Sequence, residues 1–198
     1  DLELRRQPRA VVLGVGIRPG DDVGEDRGLL PQRPDDAVDL AAVVDHLAGF
    51  QSSLPRALCW GAAWDMTRDA EMTATDFVAL VLANIGAETD AFGAARIPVY
   101  AAQAAAQYAA PANRSALLDR WESGVRDLLM SAEAGSDHQL TFARSYAGAA
   151  HSDSALDDLQ GLLDGSVVIE GLAIDTDLRW AFVVSLARSG RFGADEIA

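Results

Sequence analysis

From residue 36 onward the apolar positions recur at three- and four-residue spacing, and the blocks they form are opened by cap residues and closed by glycine or proline. The stretch from Leu54 to Asp90 organises the rest. In its first half Leu58, Ala62 and Met66 share one helical face while Ala57, Trp60 and Trp64 share another, so this helix is apolar on nearly all sides and should be packed on more than one. In its second half Phe77, Val78, Val81, Leu82 and Ile85 make a broad stripe behind Thr73 and Asp76, a capping pair. The two halves predict a helical hairpin joined by a short acidic turn.

The flanking pattern continues in the same way. Leu40, Val43, Val44 and Leu47 predict a helix over 36–48 that stops at Gly49. Ser53 and Pro55 open the first helix of the central pair, and Thr89 and Asp90 cap a block running to Ala110 that Pro98 must kink or split near Ile97. Leu117, Leu118, Trp121, Val125, Leu128 and Leu129 predict a long helix over 113–134, and a further helix follows over 137–149. Ser154 with Asp157 marks the next helix, ending at Gly165. Val167 to Ile169 reads as a short extended piece, and Asp175 or Thr176 caps the last full helix, closed by Gly190. The fold class is therefore all-α, built from stacked helical hairpins in the manner of HEAT-type repeats, with no strict repeat in residue identity. Residues 1–36 differ: Arg9 to Ile17 has strand character, and the tract after it is rich in Gly, Pro, Asp and Arg with little to bury. The expected organisation is an irregular or β-like segment over 1–36 and a helical-repeat domain over 37–198, truncated at its C-terminus.

Charge narrows the partners. Sixteen basic residues stand against 30 acidic ones, for a net charge of −14, and every basic residue is arginine. Nucleic acid is excluded as a natural partner, because affinity there rests on cations neutralising phosphate. Without lysine the chain holds no Walker-type phosphate loop, Schiff-base lysine or pyridoxal site. No apolar run approaches the roughly 18 residues that a membrane span needs, and no signal-like block leads the chain, so no membrane partner is expected and the location reads as cytoplasmic. Cys59 is the sole cysteine and reads as a buried core residue. The first residue is Asp, and both ends read as cut from something longer.

Candidate chemistry is sparse. His46, His138 and His151 fall in separate blocks without the spacing that seats a metal on one helix face, and read as unrelated surface histidines. Asp65, Asp69 and Glu71 lie around Arg68 and read as a salt-bridged helix end. Neither HExxH nor G-x-S-x-G occurs, so no catalytic or metal-binding residue is assigned. Arg179 lies in the first turn of its helix, where the macrodipole disfavours a cation. Either Asp175 pairs with it, or it faces the carboxylate of a bound peptide; Arg179 is the one candidate substrate-binding residue.

Two long runs, ALCWGAAWDMTRDAEMTATDFVALVLANIGAETD and GLAIDTDLRWAFVVSLARSGR, resemble the C-terminal helical domain of zinc aminopeptidases of the aminopeptidase N family, in the form found in actinobacteria. YAAPANRSALLDRW is a weaker link between them, and the resemblance extends from about Val43 to Gly193. It implies a chamber wall for a metallopeptidase that removes N-terminal residues from peptides. The zinc, its HExxH helix and the GAMEN-like segment would sit in a preceding catalytic domain in cis; this chain would hold no cofactor. A free-standing helical-repeat module that binds a protein or peptide is the alternative. The tract from Gly14 to Asp36 departs from the family linker and has the look of a high-GC gene read out of frame, a hypothesis that translation of the other two frames tests. Because Trp180 and Val184 lie on one side of the last helix and Leu178, Phe182 and Leu186 on others, self-association through Thr176–Ser189 is expected.

Overall fold

The computed structural model describes residues 47–193, and among them the secondary structure is helical throughout. The chain divides between Met72 and Thr73 into two units. The expected helix over 36–48, the strand at Arg9–Ile17, the 1–36 boundary and the Gly14–Asp36 tract lie outside the described residues, apart from a 3-10 turn at Leu47–Gly49.

The first unit contributes α1, Ser53–Arg68. Its N-cap is Ser52 rather than Ser53, and Pro55 lies in the first turn, where a missing N–H costs nothing. The expectation of an all-round buried helix is corrected here. Arg56, Cys59, Trp60, Ala63, Trp64 and Thr67 form one wide buried face, while Leu54 and Leu58 are exposed. Thr67 returns its hydroxyl to the Ala63 carbonyl at 2.8 Å, and the buried Arg56 donates to Phe50 O at 2.6 Å, so neither polar group is buried unsatisfied. The Cys59 thiol is buried as expected, and that burial raises its pKa. The helix ends on Ala70 at φ 61°, with the Glu71 N–H bonded to Met66 O at 2.9 Å. This is a Schellman stop with alanine in the left-handed position that glycine usually fills.

The second unit carries α2 (Ala74–Asn84), α3 (Ala91–Gln103), α4 (Pro111–Ser131), α5 (Asp137–Ala149), α6 (Asp153–Asp164) and α7 (Thr176–Arg188). Caps written in the sequence set most starts. Thr73 accepts from the Asp76 amide at 3.1 Å and donates to its carboxylate at 2.7 Å, Asp90 accepts from Gly93, and Asp175 accepts from Leu178. The α6 cap is Ser152, not Ser154. At its other end α6 stops on left-handed Gly165; α7 is followed by left-handed Gly190, with Arg191 N–H returning to Leu186 O. Pro98 does not split its helix: α3 runs through it and passes into a π-helical turn at Ala104–Tyr108.

Neighbouring helices pair (α2 with α3, α4 with α5, α6 with α7), and the pairs stack, α4 on α2, α5 on α3, and α7 on α5. This is the expected layering of helical hairpins. Phe77, Leu80, Ile85, Trp121, Leu129, Tyr146, Leu159, Leu178, Phe182 and Leu186 form the core of the unit. Gly124 lets α4 approach α2, since a Cβ there would meet the Leu82 side chain at 2.6 Å. The extended piece expected at Val167–Ile169 is a loop. Val167 folds over Gly161 and bonds its carbonyl at 2.9 Å, while Val168 is 82% exposed. With no strand among the described residues to pair with, the β-branched residues have nothing there to build a ladder against. The loop is fastened instead by Gln139, which donates to Glu170 O and accepts from Gly135 N, both at 2.8 Å.

Candidate functional site

Arg179 is exposed on the first turn of α7, and among the described residues its guanidinium has no hydrogen-bond or ion-pair partner. The carboxylate that the sequence offers it is otherwise engaged: Asp175 uses an oxygen to accept from the Leu178 N–H at 2.8 Å. Asp175 and Asp177 place negative charge at the helix start, which offsets the unfavourable dipole without a direct pair.

A second set of groups gathers around Trp121 on α4. Two hollows of about 380 and 560 Å³ share Ala102, Trp121 and Gly148 in their walls. The first is otherwise lined chiefly by apolar atoms of α3 and by Arg144 and Ser145 of α5; the second reaches His151, Arg188 and Arg191. Trp121 is 2% exposed, and its indole N–H has no partner among the described residues. Arg188 donates to Gly148 O at 3.1 Å, and Arg191 is held by Asp153 and Asp157. Arg179 lines neither hollow; it lies nine residues from Arg188, about 13 Å along the helix axis.

Beside the larger hollow lies the most connected polar cluster of the unit. Glu122, buried on α4, accepts from the His151 amide at 2.7 Å, the Ser152 amide at 2.9 Å and the Ser152 hydroxyl at 2.6 Å. Burial alone would raise the Glu122 pKa. The Ser152 hydroxyl and amide, the His151 amide and the His151 charge together outweigh it, and the carboxyl lies below its ordinary range. His151 also reaches Asp119 through Nε2 at 2.8 Å. One turn further along α4, Arg126 donates to Asp158 at 2.8 Å, and Tyr146 OH donates to the same oxygen at 2.9 Å; burial first, then that carboxylate, drives the phenol pKa well up.

His151 is exposed on the surface as expected, with its ring against two carboxylates, while His138 is half-buried and stacks at a tilt on Phe142 with ring centroids 5.6 Å apart. His46 lies outside the described residues. Asp65 and Arg68 do form the expected exposed ion pair, at 3.2 Å. Among the described residues no group of three His, Cys, Asp or Glu side chains is arranged to hold a metal ion, and no helix is long and apolar enough to cross a membrane.

Stacked helical hairpins with a polar network fixing one turn define an all-α domain. The ERAP1-like C-terminal domain family matches residues 36–198, and the chain belongs to that family. Aminopeptidase N of Streptomyces lividans is 54% identical over 163 residues, which cover 82% of this chain and 19% of that relative. The chain thus spans about a fifth of the length of the relative it matches.

Proposed function

We propose that the chain is the C-terminal domain of a zinc-dependent aminopeptidase that removes N-terminal residues from peptides, and that its helices wall the chamber where the peptide lies. The observation that carries this reading is the 54% identity to an aminopeptidase N over 163 residues. The described residues do not fit a zinc site. The sequence has no HExxH, and among the described residues no group of three His, Cys, Asp or Glu side chains is arranged to hold a metal ion: the two carboxylates beside His151 are taken up by hydrogen bonds to its ring and to the following turn. Zinc and its chemistry belong to a catalytic domain joined in cis, and no step of hydrolysis passes through this chain. A cytoplasmic location accompanies the reading.

What the domain contributes is selection of what enters. Arg179 is the proposed contact to the peptide carboxylate, supported by an exposed guanidinium without a partner among the described residues. In an enzyme carrying this domain, Arg179→Ala should raise KM for peptides with a free C-terminal carboxylate and leave arylamides, which lack one, unchanged. Equal effects on both would remove Arg179 from the site. The purified chain should bind no stoichiometric zinc and release no product from alanyl or leucyl arylamides. One tightly held zinc per chain would overturn the division of labour.

A further inference from the structure

The link between α5 and α6 is three residues long, Ala150, His151 and Ser152, and it is held to α4 through side chains rather than through backbone pairing. His151 stands where that link meets α4. Its Nδ1 is 3.0 Å from the Ala149 carbonyl and 3.1 Å from a Glu122 carboxylate oxygen, and its Nε2 is 2.8 Å from Asp119 Oδ1. Every one of these neighbours accepts, and none donates. A neutral imidazole has one N–H and one lone pair, so in either tautomer the lone pair would face an oxygen. Only the imidazolium donates on both sides.

The surrounding charges agree with this assignment. Asp119 and Glu122 face the ring from α4, and Asp153 follows it at the start of α6. From the end of α7, Arg188 and Arg191 share the hollow with His151, but Arg191 is tied to Asp153 and Asp157, and Arg188 donates to Gly148 O. From α3 and the π-helical turn only the uncharged Ala102 and Ala106 reach that hollow. Two carboxylates within hydrogen-bonding distance therefore dominate the field at the ring.

We propose that His151 is a proton-operated clasp: its imidazolium pins the α5–α6 link and the first turn of α6 to α4, and loss of the proton loosens that wall of the hollow. This goes beyond the chamber-wall reading and does not depend on it, since it concerns the domain's own stability. The hydrogen bonds of Glu122 to the His151 and Ser152 amides persist without the ring proton, so the link loosens rather than unfolds. The Ala149 carbonyl, with Asp119 and Glu122, holds the ring's pKa above its ordinary value against the burial that would lower it. A folded pKa raised above the unfolded one gives stability that is full below the unfolded value of about 6.5 and is lost as pH rises through the folded value.

The test is a histidine NMR titration of the 198-residue chain together with amide hydrogen exchange, corrected for intrinsic pH dependence, at Ser152 and Leu156. His151→Gln assigns the resonance; should that variant not fold, His46→Gln and His138→Gln assign it by elimination. The expected results are a His151 midpoint above about 6.5 and protection at both amides that falls about threefold or more as pH passes that midpoint. Asp119→Asn should lower the midpoint and flatten the response. A midpoint at or below the ordinary value, or protection that does not follow the titration, would overturn the proposal.

Discussion

Glu122→Ala removes the acceptor for three hydrogen bonds at once, two from backbone amides and one from a hydroxyl, in a residue only 9% exposed. A hydrogen bond to a charged group contributes about 1.5–3 kcal/mol, and donors left unsatisfied at a partly buried turn cost about 1–3 kcal/mol each where water does not replace the acceptor. The three share one carboxylate and are not additive, so a total of about 3–5 kcal/mol is the reasonable magnitude. With a urea slope of about 2 kcal/mol/M, the midpoint should fall by roughly 1.5–2.5 M. Glu122→Gln keeps the shape and one oxygen and should cost less, about 1–2 kcal/mol. The pH dependence has a definite sign. A carboxyl whose folded pKa is depressed stabilises above its unfolded value of about 4.3 and loses that contribution as pH falls through the folded value. The gap between wild type and Glu122→Ala should therefore be full at pH 7 and shrink in acid. Urea melts at pH 7 and well below the ordinary carboxyl value of about 4.3 measure it, and equal midpoints for wild type and Glu122→Ala at pH 7 would refute the view that this side chain fastens the α5–α6 link.

Trp64, 8% exposed on α1, should cost about 3–5 kcal/mol when cut to alanine, and a denaturant midpoint that does not move would contradict its place in the core. Ala70→Gly should stabilise by about 1 kcal/mol, because the left-handed φ of 61° strains any residue with a Cβ; a loss of thermal stability would show that the turn is not held there. Trp180 and Val184, 52% and 59% exposed one turn apart on α7, should drive self-association of the isolated chain, which light scattering detects and Trp180→Glu should suppress. A clean monomer at high concentration would end that idea.

Local chemistry made much of the fold legible. Thr73, Asp90 and Asp175 announce their helices through side-chain oxygens that answer amides three residues on, and Gly165 and Gly190 mark stops that need positive φ. Burial was less legible where a helix is apolar on several sides. On α1 both Leu58 and Trp60 fit a packed face, and only the tertiary arrangement leaves Leu58 40% exposed. The stop at Ala70 carried no glycine to betray it. The polar network was invisible because it is non-local: Glu122 and Ser152 lie 30 residues apart, and a Glu on an amphipathic helix ordinarily reads as solvated. The same contact selects Ser152 over Ser154 as the α6 cap, since Glu122 fixes the Ser152 hydroxyl while it accepts from Ala155. For Arg179 the sequence offered a pair with Asp175 and the structure gives a cap instead, because one short carboxylate satisfies the Leu178 amide more directly than a long flexible side chain.

The central claim is that this domain serves an aminopeptidase without carrying its chemistry, and domain exchange tests it most directly. Residues 36–198 would replace the matching segment of the Streptomyces lividans aminopeptidase N, and kcat/KM for leucyl arylamide would be measured beside the parent and a version lacking the segment. The account predicts that the exchanged enzyme keeps its zinc and stays within about tenfold of the parent, a barrier change of roughly 1.4 kcal/mol, while the truncated version falls far below. An exchanged enzyme that is folded and zinc-loaded yet as inactive as the truncated one would contradict it.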